Sequence, residues 1–326
     1  MNWIKNLITN LFITLLSIIF IFILLEAFLI WDDYYKDYPN PYITKINNIK
    51  YDVYFDKKKI NNNKKNIFVV GDSFIQGDFC AFDQKTLPGE MQKLKKDVDI
   101  LNFGLSGKSL PNYLDLLKEI NPKSEDKVII FLYDNDIFVS KEMCKLAVVH
   151  KKNYNIYEPT FCQKIINDKK KDRSEDTLIK YINSKVRHLK IVSMIKDGLI
   201  NIPYFQKFFF RFEYNKLWTD FRSEENKYIT NLILYLKKFI ESQGAKFYLT
   251  YFPNTTYISL ENPEAKKWLD YFKFLKTNYD IDNINSYQFL TLNAPQKSMT
   301  RSLSDDHPSC NVYNILAPFY INALKN

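Results

Sequence analysis

Glycine is scarce in this chain, with 7 residues among 326. That excludes collagen-like repeats, Gly-rich linkers and phosphate loops built on glycine clusters. Histidine is scarcer still, at 3, and the 4 cysteines, Cys80, Cys144, Cys162 and Cys310, show no C-x-x-C spacing. No metal module is indicated, and no cofactor is expected. No fixed-period repeat is present either, which argues against a solenoid or propeller.

What the chain has is apolar and aromatic bulk. Hydrophobic residues make up 46% and charged ones 25%, with 26 Phe and 23 Tyr, so the chain is globular rather than disordered. Its length suits one large domain or two small ones. The net charge of +9 comes from scattered short runs such as 57–59 and 169–171. Neither a recognition-helix pattern nor an RNA-binding signature accompanies them, so nucleic acid is not an expected partner. Solvated faces, or attraction to anionic lipid or glycan, account for the charge.

Residues 11–31, LFITLLSIIFIFILLEAFLIW, are apolar apart from Thr14, Ser17 and Glu26. That is long enough for a helix across a hydrocarbon core of about 30 Å. No small-x-small cleavage site follows, so the run reads as an anchor rather than a removed leader. Lys5 precedes it, and Asp32 and Asp33 follow it. The expectation is a short cytoplasmic N-terminus over 1–10, a membrane anchor over 11–31 and an exported body. Glu26 lies near the outer end, where it can snorkel to the interface; the alternative is pairing with another helix in the membrane. Export permits disulfides. The preferred pairing is Cys144 with Cys162 and Cys80 with Cys310, the latter tied to the motifs below, while free buried thiols remain open.

Beyond the anchor, residues 32–65 read as a stalk and lead-in. Short apolar runs predict strands over 66–70, 98–103, 127–133 and 245–252, with a weaker one near 279–282. Helices are expected over 86–96, over 110–120 (ended by Pro122), from Ser223 to Gly244, and over 311–324. From about 140 to 222 the pattern gives way to a basic, aromatic insertion. Its stretch 202–221, IPYFQKFFFRFEYNKLWTDF, fits packing onto the body, with a substrate roof, sugar stacking or membrane contact as alternatives. Strands alternating with helices predict a parallel, doubly wound α/β sheet.

The polar residues cluster where these strands end. They are Gly71-Asp72-Ser73, then Asn102-x-Gly104-x-Ser106-Gly107, then Asp134-Asn135-Asp136, with a last cluster, LSDDHPS, at 303–309. Parallel strands bring such ends to one edge, where open α/β sheets bind ligands. Ser73 alone reads more readily as a turn or helix N-cap than as a nucleophile; its convergence with the other clusters favours the chemical role.

These clusters resemble the blocks of the SGNH/GDSL hydrolase family: VVGDSFIQG the first, NFGLSG the second, YDND the third and DDHPS the fifth. The resemblance covers about 66–326 without the insertion. It implies a three-layer α/β/α domain with a five-stranded parallel sheet in the flavodoxin-like order 2-1-3-4-5. Carried over by position, Ser73 is the nucleophile, His307 the general base and Asp305 the acid that orients it. The oxyanion donors are the Ser73 and Gly107 N–H groups and the Asn135 amide. Asp72, Asn102 and Asp136 are read as turn and strand-end hydrogen bonders that support the site.

Three departures from the pattern stand out. Phe74 replaces the usual leucine, and Tyr133 stands where many members have glycine. The position three before His307 is Ser304, which leaves Asp305 as the acid, with Asp306 as the alternative. Of the other histidines, His150 and His188 lie in the insertion, away from strand ends.

The implied function is a serine esterase acting on O-acyl, possibly O-acetyl, esters of a small molecule or a cell-envelope or extracellular glycan. The same triad serves an O-acyltransferase, and a non-catalytic glycan-binding or assembly role is the reading from another class. Asn254 and Thr255, after the fourth strand, are candidates for substrate contact or for ordinary loop chemistry.

Overall fold

The computed structural model describes residues 10, 13–14, 16–25, 27, 42–46, 49–53, 65–77, 80, 85–133, 136, 141–167, 223–252, 263–293, 300–302 and 305–325. The chain divides into two units, Met1–Tyr38 with Lys170–Phe212 and Pro39–Lys169 with Glu213–Asn326. In the first unit the described residues, between 10 and 27, are helical, and the large apolar ones from Ile13 to Leu25 are exposed. Among the described residues no helix is long and apolar enough to cross a membrane. The rest of the expected span, Glu26 included, lies outside them, as do 202–221, Asn254 and Thr255.

The second unit carries the fold. It opens with a hairpin inside the segment expected to be a stalk: β1 (Tyr42–Ile46) pairs antiparallel with β2 (Ile49–Val53). The main sheet consists of β3 (Asn66–Gly71), β4 (Asp99–Gly104), β5 (Lys127–Leu132), β6 (Lys246–Tyr251) and β7 (Asn283–Ile284). Its spatial order is β4-β3-β5-β6-β7 and every pairing is parallel, which is the order 2-1-3-4-5. The edge strand corrects the expectation of a strand at 279–282. Tyr279 ends a helix, and Asp280 has φ of +50°, so pairing begins only at Asn283.

The central strands are continuous apolar runs because both of their faces are covered. Phe68 and Val70 point into one core cluster, and Ile67 and Val69 into the other. The first cluster is filled by α3 (Leu110–Ile120), α6 (Glu224–Ser242) and α7 (Pro263–Tyr279). The second takes α1 (Ser73–Gln76), α2 (Leu87–Leu94), α8 (Tyr287–Asn293) and α9 (Cys310–Ala323). The result is three layers, helices on sheet on helices.

Caps set the helix limits. The Thr86 hydroxyl accepts from the Gly89 N–H to start α2, and the Ser223 hydroxyl accepts from the Asn226 N–H to start α6. Asn121, with φ of +53°, turns the chain out of α3 just before Pro122.

One finding concerns the expected insertion, and another the segment before the last helix. The first part of the insertion forms α4 (Lys141–Tyr154) and α5 (Phe161–Asn167), and Met143, Cys144, Ala147, Ile156 and Cys162 belong to the first core cluster. That part therefore packs into the core of the domain. The last short sheet, β8 (Thr300–Ser302) with β9 (Asp305–Pro308), is antiparallel and leads directly into α9.

Two constraints hold α1 in place. β3 and β4 finish on a paired Gly71 and Gly104. A Cβ on Gly104 would stand 2.0 Å from the Gln76 backbone nitrogen, and one on Gly71 would stand 2.5 Å from Ile75 Cγ1. Both glycines are needed for room, so the backbone of α1 can lie directly on the strand ends. The second constraint is covalent. Cys80 is bonded to Cys310 with Cα atoms 5.4 Å apart, and Cys144 is bonded to Cys162 with Cα atoms 5.0 Å apart.

Two predictions follow from this geometry. Gly104→Ala must displace backbone rather than a side-chain tip, so it should cost about 1–3 kcal/mol, or several degrees of Tm. Gly107→Ala, whose Cβ meets nothing within 4 Å, should cost only the left-handed penalty of about 1–2 kcal/mol. A calorimetric Tm for Gly104→Ala equal to wild type would contradict the close approach. The Cys80–Cys310 bridge joins residues 230 apart, so removing it with Cys80→Ser and Cys310→Ser together should cost about 2–4 kcal/mol in denaturant unfolding. Non-reducing peptide mapping should recover the two cysteines in one linked fragment, and their recovery as free thiols would refute the bridge.

Candidate active site

The carboxyl ends of β3, β4 and β5 meet at one edge of the sheet, and α1 begins there. Ser73 is its first residue. Asp72, buried, caps it: its carboxylate accepts from the Phe74 N–H at 2.9 Å. A buried carboxylate used in this way holds the turn that carries Ser73.

Across the site stands His307, in β9. Its Nε2 lies 2.9 Å from the Ser73 hydroxyl oxygen, although 234 residues separate the two in sequence. The expected nucleophile and base are thus within hydrogen-bond reach. The backbone of Asp305 and Asp306 runs in β9 beside His307. Their side chains lie outside what is described, as do Asp134 and Asn135.

Two rings flank this pair. Phe74 stacks on the His307 imidazole, centroids 4.7 Å apart and planes 23° from parallel. Tyr133 stacks on Phe74 at 3.8 Å and 29°. Two of the departures from the resembled pattern therefore touch each other, and one of them touches His307.

The second polar cluster is held by hydrogen bonds. The Asn102 carboxamide oxygen accepts from the Gly104 N–H at 2.9 Å, and its nitrogen donates to the Gln76 carbonyl at 3.3 Å. The Gln76 side-chain oxygen accepts from the Ser106 N–H at 2.6 Å. Gly107 follows with φ of +66°, beside open space. Gln76 therefore ties α1 to the turn carrying Gly107. Nothing in its sequence position signals this, because both partners are reached only through the fold.

Asp136 anchors the third cluster. One of its oxygens accepts from the Tyr133 N–H and the other from the Tyr113 hydroxyl, each at 2.8 Å, and Asp136 is wholly buried. Burial, followed by the nearby charges of Asp136 and Asp72, holds the Tyr113 phenol well above its usual range. The hydroxyl therefore stays protonated and remains a donor. Tyr313, on α9, likewise donates to the Phe74 carbonyl. Sequence reasoning named neither tyrosine, since each looks like an ordinary core aromatic.

His150 belongs elsewhere. It is buried on α4, with Nε2 3.4 Å from an Asp115 oxygen on α3 and Nδ1 3.5 Å from the Tyr228 hydroxyl. The Asp115 contact is close enough for an ion pair but is not aligned as a hydrogen bond. His150 packs between helices. His188 lies outside the described residues. Among the described residues no group of three or more His, Cys, Asp or Glu gathers to hold a metal ion.

No family model matches this chain, and no curated protein does. Solved structures do. A lipolytic protein of the G-D-S-L family from Desulfitobacterium hafniense is 13% identical, over 79% of this chain and 98% of its own, at a TM-score of 0.39. The lipase/acylhydrolase from Enterococcus faecalis is 12% identical, over 80% and 95%, at 0.41. A catalytic mutant of an acetylxylan esterase from Geobacillus stearothermophilus is 12% identical, over 81% and 95%, at 0.38. Likeness at this level fixes neither activity nor substrate, which rest on the site itself. In the order of its motifs and of its strands, this chain resembles the SGNH/GDSL lipolytic hydrolases.

Proposed function

We propose that the chain is a membrane-anchored serine esterase of SGNH type. The observation that supports this most directly is the 2.9 Å approach of His307 Nε2 to the Ser73 hydroxyl at the carboxyl edge of a parallel sheet. A serine hydroxyl is a weak nucleophile at neutral pH, and a neighbouring imidazole that accepts its proton makes it competent.

In the mechanism, Nε2 of neutral His307 takes the Ser73 proton as Oγ bonds to the ester carbonyl carbon. The negative charge on the former carbonyl oxygen is met by the N–H groups of Ser73 and Gly107 and by the Asn135 amide. The ester C–O bond then breaks, and the imidazolium gives its proton to the departing alcohol. Water repeats the sequence on the acyl-enzyme, releasing the acid and restoring Ser73. Asp305 holds the Nδ1–H tautomer and stabilises the imidazolium. The proposed substrate is an O-acyl, in the first instance O-acetyl, ester on a cell-envelope glycan. The apolar run at 11–31 and the net charge of +9 support action near an anionic envelope.

The test is ester hydrolysis by the full chain in detergent, with p-nitrophenyl acetate and an acetylated glycan as substrates. Ser73→Ala and His307→Ala should each lower kcat by about a thousand-fold or more, and the double variant should lose little beyond either. Asp305→Asn should cost far more than Asp306→Asn. Hydrolysis by Ser73→Ala at the wild-type rate would refute the reading. Acetyl transfer to an added glycan in preference to water would make the chain a transferase through the same acyl-enzyme. For topology, protease added to intact spheroplasts should digest the body beyond residue 31, and full protection there would reverse the orientation.

A further inference from the structure

We infer that Tyr133 and Phe74 form an aromatic column that positions the His307 imidazole and stabilises its protonated form. The inference rests on the esterase reading for its catalytic meaning, but the column itself is a matter of geometry. Rings centred 3.8 and 4.7 Å from Phe74, both close to parallel with it, cannot share one face of a phenyl group. Tyr133 and His307 therefore take opposite faces, with Phe74 between them.

The column is fixed along its length. The N–H of Phe74 donates to Asp72 and its carbonyl accepts from Tyr313, so its backbone is held on both sides. Phe252 packs against its ring at 5.6 Å, and the ring is buried. Tyr133 is held through its own N–H by Asp136. A phenyl ring so confined gives the imidazole a fixed plane to lie on. It opposes any tipping of His307 away from Ser73.

The column also acts on charge. When His307 takes the serine proton it becomes a cation lying on an aromatic face, whose quadrupole is negative there. A leucine at position 74 fills comparable space but has no such face. The column therefore favours the imidazolium that forms during acylation and deacylation.

The test is a histidine NMR titration of the full chain in detergent, with the His307 resonance among three histidines assigned by its loss in His307→Gln. Phe74→Leu should lower the proton affinity of His307 roughly two- to five-fold, the range expected for one cation–aromatic contact. A base that deprotonates more readily stays active to lower pH. The acid limb of kcat/KM should therefore move to lower pH, with kcat reduced several-fold and KM little changed.

Tyr133→Leu leaves Phe74 against the imidazole and should move the same resonance in the same direction by a smaller factor. Tyr133→Phe keeps the ring and should restore wild-type behaviour. The other described polar groups around the site are the same in all these variants: Ser73 on α1, Asp72 at its N-cap, Asp136, and Tyr313 on α9. Any shift therefore reads the ring. A His307 titration unchanged in Phe74→Leu, or in Tyr133→Leu should the first fail to fold, overturns the inference. A shift as expected in a protein that hydrolyses no ester would uphold the column and remove the esterase reading instead.

Discussion

The candidate site depends on two missing methyl groups. Gly71 and Gly104 pair at the ends of adjacent strands; the backbone of α1 lies where the Gly104 Cβ would be, and the Ile75 side chain where the Gly71 Cβ would be. Because the helix sits so low, the Gln76 side chain reaches the Ser106 N–H, and the Asn102 amide reaches the Gln76 carbonyl. Gln76 is buried and Asn102 partly so, so a lost partner on either would leave a polar atom poorly served by water. Close backbone approach and hydrogen bonding thus enforce one another. A methyl group at position 104 would push α1 away and strain these bonds together.

The sequence made the central sheet legible because its strands are buried on both faces. A run such as Ile67, Phe68, Val69, Val70 has no polar side to confuse its reading, and the two pairs do point into different cores. The edge was harder. β7 is only two residues long, too short to carry a pattern of its own, and the left-handed turn at Asp280 displaced it from the apolar residues that suggested it. α4 and α5 were masked by their basic composition, since the lysines that make the segment look solvated sit on the outer side of helices whose other side is core.

The site was legible to the extent that its residues cluster at strand ends. Ser73, Asn102, Gly107, Asp136 and His307 could be picked out because each lies in a polar group that interrupts apolar sequence. Gln76, Tyr113 and Tyr313 could not. They act through contacts across 23 to 239 residues of chain, and the residue types are common in any core. Phe74 and Tyr133 were visible only as departures from a pattern. That the two rings stack is a property of three dimensions, since the ends of β3 and β5 must be neighbours before they can meet.

The C-terminal helix links these features. α9 begins at Cys310, three residues beyond His307, and its first residue is bonded to Cys80, seven beyond Ser73. One turn further on, Tyr313 donates to the carbonyl of Phe74, the ring on which His307 lies. Val312, Leu316 and Tyr320 bury the same helix against the second core cluster. His307 and Ser73 come from opposite ends of the domain sequence, and loop closure over that distance has a large entropic cost. A single helix seated in the core, joined to the loop after α1 by one covalent bond and to α1 by one hydrogen bond, meets that cost once. The short β9 strand that carries His307 then has little freedom left, which keeps its Nε2 within reach of the Ser73 hydroxyl.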